Sequence, residues 1–460
     1  MYKIDFNEKS HVHFMGIGGI SMSGLAEILL DEGFTVSGSD MSESDIVKTL
    51  RAKGAEIAIG QKKENITSDI DVVVYTAAIR EDNEEYMACV EAGIPMLKRA
   101  ELLGQIMDFY KYSIAVAGTH GKTTTTSLLS HILMEGEKDP TISIGGMLDL
   151  IGGNIRVGKS DYFVTEACEY TNSYHSFNPF VSIILNVDND HLDFFKNIDN
   201  IVESFRVFAT KTKQGGTLII NGDMPYKDRV LDGFTGNVIT FGTNDGNDYQ
   251  AKSIVLDEGG HPTYDLYRKG EFVTKVTLSV TGVHNAVNSL SALAAADYLG
   301  VDMNASLKGL KNCSSAKRRF EYKGTLPNGI VVIDDYAHHP TEIAATLKVA
   351  NEVKKGEVWC AFQPHTYSRT YALLPEFAEA LSITDHVLLA DIYAAREKDD
   401  GRVSSRDIEK LLKEKGVDAV YLGDFSEIEK YFLKNSKEND MLITMGAGNI
   451  VNLGEKLLEG

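Results

Sequence analysis

The apolar positions of the first hundred residues switch between two periods. HVHFMGIG, from His11 to Gly18, is a short extended run entering a glycine turn, and SMSGLAEILLDEG carries apolar positions at helical spacing and ends at Gly33. FTVSGSD and DVVVYTAA return to strand character. This alternation predicts a Rossmann-type unit, whose ligands gather at the carboxyl ends of its strands.

A second unit opens near Lys111, where SIAVAG leads through THGKT into the helical run TTTTSLLSHILMEG. The strands YFVTEA and VSIILNV end at acidic or histidine-bearing loops. Residues 214–280 are rich in Gly, Asn and Asp, and the short β-prone runs TLII, NVITF and KVTLSV predict an antiparallel subsheet there. An alanine-rich helix from about His284 to Leu299 closes the unit. After Arg319, strands followed by polar loops recur in GIVVIDDYAHHPTEIAATLKVA, EVWCAFQPHTYSR, HVLLADIYAAREKDD and DMLITMGAGNI. The pattern predicts an α/β protein of three domains: a Rossmann-like domain over 1–108, a central phosphate-loop domain with a mixed sheet over 109–316, and a C-terminal Rossmann-like α/β domain over 317–460.

Composition narrows the partners. A chain of 460 residues exceeds what one core usually supports, and 43% apolar with 24% charged residues is ordinary for a globular protein. Against 66 Asp and Glu stand 46 Lys and Arg, a formal charge of −20 that disfavours nucleic acid and anionic membrane, so an anionic ligand must meet a local cluster of cations. Cys89, Cys168, Cys313 and Cys360 lie far apart and are read as buried reduced thiols. With no leader-like start and no apolar run long enough to span a bilayer, a cytoplasmic protein without membrane insertion is expected, as monomer or homodimer.

The strongest chemical signal is Gly118-Thr119-His120-Gly121-Lys122-Thr123, set between a strand and a helix. Backbone N–H groups there can surround phosphate oxygens, Lys122 can reach the terminal phosphates, and Thr123 offers a hydroxyl to Mg2+. Val116 stands where a full-length loop of this kind has its first glycine, so the loop is a shortened variant. Glu166, at the end of YFVTEA, and His191, flanked by Asp188 and Asp190, are the other candidate metal ligands, provided their strands neighbour the loop strand. Gly16-Ile17-Gly18-Gly19-Ile20-Ser21 is a weaker signal, because Ser21 replaces the last glycine of a dinucleotide turn. Taken alone, 11–40 with Asp40 also fits an NAD-dependent dehydrogenase, and 113–127 fits a nucleotide-switch protein.

The loop, the acidic strand end and the NDHLD segment together resemble the Mur ligase family. HFMGIGGISMSGLAEIL, RRFEYKG, DDYAHHPTE, QPHTYSRT and DIYAAREKD extend the resemblance over essentially the whole chain. It implies an N-terminal UDP-sugar domain, a central ATPase and a C-terminal amino-acid domain. The implied reaction joins L-alanine to the carboxylate of UDP-N-acetylmuramate through an acyl phosphate, with ATP as co-substrate and Mg2+. On this resemblance the glycine turn cradles the UDP diphosphate, with Asp40 and Thr76 near the nucleoside. Lys122, Glu166, His191 and Arg319 are implied as catalytic. His284, Asn285, Asn288, Arg318 and Asp335 join Gly118 to Thr124 around ATP, and Tyr336, His338, His365 and Arg369 form the amino-acid end. Thr366 stands where relatives often carry arginine, Arg396 and Lys398 are further cations on offer, and Arg206 takes the place of a lysine that some siblings carbamylate. Two sibling activities stay open: a folylpolyglutamate synthetase-like ligase, which lacks the N-terminal glycine turn, and a recycling ligase that adds a preformed tripeptide.

Overall fold

The computed structural model describes residues 2–76, 78–313, 317–395 and 397–459, with Asp193 described by its backbone alone. The first unit is a five-stranded parallel sheet of β1 (His11–Met15), β2 (Thr35–Asp40), β3 (Glu56–Ile59), β4 (Val72–Tyr75) and β5 (Met96–Lys98), in the order β3-β2-β1-β4-β5. The expected break after residue 108 falls in the last turn of the helix Arg99–Phe109.

The central sheet has ten strands: β6 (Tyr112–Ala117), β7 (Thr141–Leu148), β8 (Gly153–Arg156), β9 (Tyr162–Ala167), β10 (Val181–Ile184), β11 (Thr217–Asn221), β12 (Asn237–Gly242), β13 (Tyr249–Leu256), β14 (Pro262–Arg268) and β15 (Glu271–Thr277). The loop strand β6 lies between β9 and β10, parallel to both, so three neighbouring strands release their loops at one edge. The antiparallel subsheet is smaller than the sequence predicts. TLII and NVITF are β11 and β12, which continue the parallel sheet, and only β13 to β15 alternate in direction.

The third sheet orders β16 (Glu321–Thr325), β17 (Val331–Asp335), β18 (Val358–Phe362), β19 (His386–Ala390), β20 (Asp418–Gly423) and β21 (Met441–Met445) as β16-β17-β21-β18-β19-β20, with β16 the antiparallel edge. The expected boundary at residue 316 lies outside the described residues.

One apolar cluster runs without a break from the first unit (Ile17, Leu25, Leu29) into the second (Phe163, Phe205, Phe208), where each side chain withdrawn from water contributes roughly 1.5–3 kcal/mol. The β7–β8 hairpin crosses the same junction. Asn154 Nδ2 donates to Ile20 O at 3.1 Å, and Ile155 packs over Gly24. The first two units are therefore joined by burial. The third meets the second mainly through polar loops, described below. Cys89, Cys313 and Cys360 are buried as expected, whereas Cys168 is exposed, because it follows the last sheet-paired residue of β9. Among the described residues no helix is long and apolar enough to cross a membrane.

Candidate active site

The phosphate loop takes its shape from two glycines. Gly118 has φ +149°, and Gly121, at φ +84°, caps the helix Lys122–Glu135; a Cβ on Gly121 would sit 2.9 Å from Asn288 Nδ2. Asn186, just beyond β10, holds the loop from the side: it accepts the His120 N–H at 2.8 Å and donates to His120 O at 3.0 Å. The first turn of the helix, largely buried, thus presents the N–H groups of a helix start beside the cavity that Gly121 and Thr124 line, a place suited to phosphate.

Lys122 is folded back on this loop. Its Nζ donates to Gly118 O, to Thr119 O at 3.0 Å and to Glu169 Oε2 at 2.8 Å. Burial works against the ammonium, but the pairing with Glu169 outweighs it and raises its pKa. Glu169, only 2% exposed, keeps Oε1 without a hydrogen-bond partner, 3.9 Å from His191 Nε2. Glu166 lies beside Val116 in the β6–β9 register, and its Oε1 accepts the Gly145 N–H at 2.7 Å. His191, at φ +52°, caps the short helix Leu192–Phe195 and packs its ring on Tyr170 at 4.5 Å. The Thr123 hydroxyl, the Glu166 carboxylate and the His191 imidazole are hard or borderline donors of the kind a phosphate-bound Mg2+ accepts, and the orphaned Glu169 oxygen adds a buried negative pole beside them. The donor set fits the metal.

Two cavities flank this edge. One, about 500 Å³, lies between the loop and the third unit and is lined by His120, Gly121 and Thr124, by His284, Asn285 and Asn288, and by Arg319 and Asp335. Asp335 carries both oxygens on backbone donors, Phe320 N and Ala337 N, and burial lifts its pKa to about 6 against the opposing charge of Arg319. Burial holds His284 down at about 4, hence neutral. Arg318 does not line this cavity. Its guanidinium is bound to Asp334 at 2.8 Å and to the carbonyls of Gly446 and Gly448, because its φ of +64° turns it into the third sheet. It positions the strand ends beneath Asp335.

The second cavity, about 620 Å³, is bounded by Tyr170, Asp190 and His191 from the central unit and by His365, Ser368, Arg369, Glu397 and Arg402 from the third. Arg369 spans the junction, with Nη2 3.2 Å from Asp190 Oδ1 and Nη1 3.3 Å from His365 Nδ1. Burial opposes the Asp190 charge, and Arg369 prevails, holding that pKa well below the usual range. His365 is neutral, lowered to about 4 by burial and then by Arg369. Tyr336 and His338 do not line this cavity. Tyr336 lies under the guanidinium groups of Arg318 and Arg319 at 5.0 and 5.5 Å, and burial keeps His338 at about 4 while its Nδ1 meets Tyr336 O. Lys398 is likewise absent from the lining, and Arg396 lies outside the described residues. Arg206 is ion-paired with Glu203 on the helix Ile198–Thr210 and lines neither cavity, so no positive charge from it enters the site. Thr366 caps the helix Tyr367–Ala372 at φ +68°.

At the far end of the molecule, Gly16 (φ +80°) turns the chain after β1, and Gly18 N donates to Asp40 Oδ2 at 2.8 Å. A Cβ at Gly18 would stand 2.8 Å from that oxygen and would push the Asp40 carboxylate out of its place against the turn. Asp40 is thus engaged with the turn itself. Thr76, at the end of β4, lies against Gly16, while Ile20 and Ser21 are exposed at the helix start beside Gly19.

Sequence reasoning did not single out Glu169, Asn186, Tyr226, Glu342, Ser368 or Arg402. Asn186 and Glu169 carried a signal, standing at the ends of the strands next to the phosphate loop.

Three family models match in chain order: "Mur ligase family, catalytic domain" over residues 11–111, "Mur ligase middle domain" over 116–296 and "Mur ligase, glutamate ligase domain" over 318–448. The chain is 55% identical to a UDP-N-acetylmuramate–L-alanine ligase of Agathobacter rectalis over 459 residues and 56% identical to one of Lachnospira eligens over 460, covering 100% of each chain and of its own length. A crystal structure of a UDP-N-acetylmuramate–alanine ligase from Thermotoga maritima superposes with TM-score 0.80 at 29% identity, covering 98% of both chains. A murein peptide ligase from Psychrobacter arcticus shares the fold, with TM-score 0.69 at 24% identity over 98% of both chains.

Proposed function

The chain belongs to the Mur ligase family, and we propose that within it this protein joins L-alanine to the carboxylate of UDP-N-acetylmuramate at the expense of ATP, a step of peptidoglycan precursor synthesis. The observation that carries the reading is the meeting, at one edge of three adjacent parallel strands, of the phosphate loop, the Glu166–Glu169 strand end and the His191 loop, with a cavity on each side. Identity of 55% and 56% over the full chain to L-alanine ligases favours these substrates.

A free carboxylate does not react with an amine near neutral pH, so a leaving group must be made. The muramate carboxylate attacks the γ-phosphorus of ATP, ADP departs, and an acyl phosphate results. The alanine amine then attacks the acyl carbon; the tetrahedral intermediate collapses and phosphate leaves. The loop N–H groups and Lys122 stabilise the charge moving across the phosphates. Thr123, Glu166 and His191 are the donors for Mg2+, which when bound supplies charge neutralisation at those oxygens. His284, Asn285, Asn288 and Asp335 hold the nucleoside side of ATP, and Arg319 faces its phosphates from the third domain. Gly16 to Ser21 hold the UDP diphosphate, Thr76 lies toward the nucleoside, and Asp40 fixes the turn. His365 and Arg369 receive the α-carboxylate of the amino acid. The domain roles follow: 1–108 for the UDP sugar, 109–316 for ATP and 317–460 for the amino acid, in the cytoplasm.

Two measurements test this reading. ADP release at fixed UDP-N-acetylmuramate should rank L-alanine first, glycine and L-serine weak and L-leucine negligible, since a missing methylene costs roughly 1–3 kcal/mol in a pocket. A preference for a tripeptide moves the chain to the recycling branch. With ¹⁸O in the muramate carboxylate, one labelled oxygen should appear in the released phosphate; unlabelled phosphate at full turnover refutes the acyl-phosphate route.

A further inference from the structure

Where the third domain meets the phosphate loop, three side chains that the ligase chemistry does not use as a group turn their donor atoms toward one another. His120 Nε2 is buried and has no hydrogen-bond partner. Asp188 Oδ2 lies 3.5 Å from it, and His339, from the start of the helix Pro340–Val353, completes a set whose ligand atoms all lie within 4.8 Å of one another. Bonds of roughly 2.0–2.2 Å place the donors of a tetrahedral cation about 3.3–3.5 Å apart, so one pair already has the required spacing and the third donor must close in by about 1 Å.

The surroundings match those of a ligated imidazole. Glu342 Oε1 stands 3.3 Å from His120 Nδ1, the carboxylate-on-histidine arrangement that orients a metal-bound ring. His339 Nε2 is bonded to Asn189 O at 2.7 Å, and its Nδ1 accepts the Thr341 N–H at 3.3 Å, so ligation through either nitrogen exchanges one existing bond. Thr341 Oγ1 donates to Asp188 Oδ2 at 2.7 Å and fixes that carboxylate.

We propose that His120, Asp188 and His339 form a site for a borderline divalent transition cation of the zinc class, which staples the third domain to the phosphate loop. Two imidazoles and one carboxylate suit such a cation, and they suit Mg2+ poorly because it favours a shell dominated by oxygen, in which two nitrogens out of three protein donors are unfavourable. The site is separate from Thr123, Glu166 and His191. Two donors come from the central domain and one from the third, so the cation binds only the docked arrangement and opposes the separation that admits and releases ligands. Zinc is therefore an inhibitor of turnover at this site.

The test uses the full chain, stripped with a chelator and titrated with Co2+ while its visible d–d absorption is recorded, followed by Zn2+ to displace it. One equivalent should bind with tetrahedral bands and be displaced by Zn2+. His339→Asn keeps a helix-capping side chain, and Asp188→Asn keeps the acceptor for Thr341; each should weaken Co2+ at least tenfold while melting as a folded protein. No visible bands in the wild type, or wild-type affinity in both variants, overturns the site. In the ligase assay at fixed Mg2+, the Zn2+ concentration for half-inhibition should rise at least tenfold in His339→Asn; equal inhibition of both proteins overturns the staple. The Co2+ titration needs no turnover, so its outcome is independent of the ligase reading.

Discussion

Lys122 meets its counter-charge before any nucleotide arrives: Glu169 is buried against it at 2.8 Å, and two loop carbonyls share the remaining protons. Removing one member of such a pair leaves the other charge stranded, at a cost on the order of 3 kcal/mol. Glu169→Gln should therefore melt earlier than the wild type without nucleotide, and ATP, whose phosphates supply the missing negative charge, should raise its melting temperature by more than it raises that of the wild type. Equal ATP-induced shifts would remove Glu169 from this role. Lys122→Ala should abolish nearly all turnover yet leave UDP-N-acetylmuramate binding intact by calorimetry, because the two ligands belong to different domains; a loss beyond about a hundredfold, near 3 kcal/mol, would contradict that division. The sequence singles out Glu166 because it ends a strand. Glu169 shows in the sequence only as a carboxylate just past a strand end: the turn after β9 is what folds it over the loop, while Glu166 is held by Gly145 N. Arg318 and Arg319 pose the same difficulty. Adjacent cations look alike in a sequence, and the left-handed backbone at Arg318 sends one into the sheet and leaves the other at the cavity.

Strand-to-loop-to-helix units are the most legible level of this chain, since β1, β6 and β17 and the helices near them follow directly from apolar periodicity and glycine position. The 214–280 region was misread for a physical reason. The crossover from β11 to β12, residues 222–236, contains only the four-residue helix Lys227–Val230, so no long helical period between the two strands marks them as parallel. Packing between distant elements left no local trace either. The helix Met303–Lys311 approaches the phosphate-loop helix Lys122–Glu135 so closely that a Cβ on Gly309 would stand 2.7 Å from Ile132 Cα. Backbone cannot rotate aside as a side chain does. Gly309→Ala should then destabilise the chain by roughly 1–3 kcal/mol, read as a lower denaturant midpoint, and should raise the KM for ATP by tilting the helix whose first turn forms the loop. An unchanged midpoint would show that the two helices separate at little cost.

Over the whole molecule, a chain of charge −20 gathers its useful cations at the seam between the second and third domains. That seam was anticipated only as a neighbourhood, because the contacts that close it join loops far apart in the sequence: Thr341 to Asp188, His339 to Asn189 and Arg369 to Asp190. Its titratable groups pull in opposite directions. Burial would lower the pKa of His120, but Asp188 and Glu342 on either side raise it to about 9. A base whose folded pKa is raised stabilises fully below its ordinary value, about 6.5, and that contribution fades as pH rises through 9. His284, His338 and His365 are lowered to about 4 by burial, so their contribution is present above about 6.5 and is lost as pH falls toward 4. Docking of the third domain should consequently be tightest near neutral pH and weaken on both sides. Small-angle scattering of chelator-treated, nucleotide-free protein from about pH 5 to pH 10 should show the smallest radius of gyration between the two limbs. In His120→Gln the amide cannot titrate, so the alkaline expansion should disappear while the acid limb remains. Persistence of the alkaline limb in that variant would assign it to another group and leave the Asp188–His120–Glu342 bridge without a part in holding the domains together.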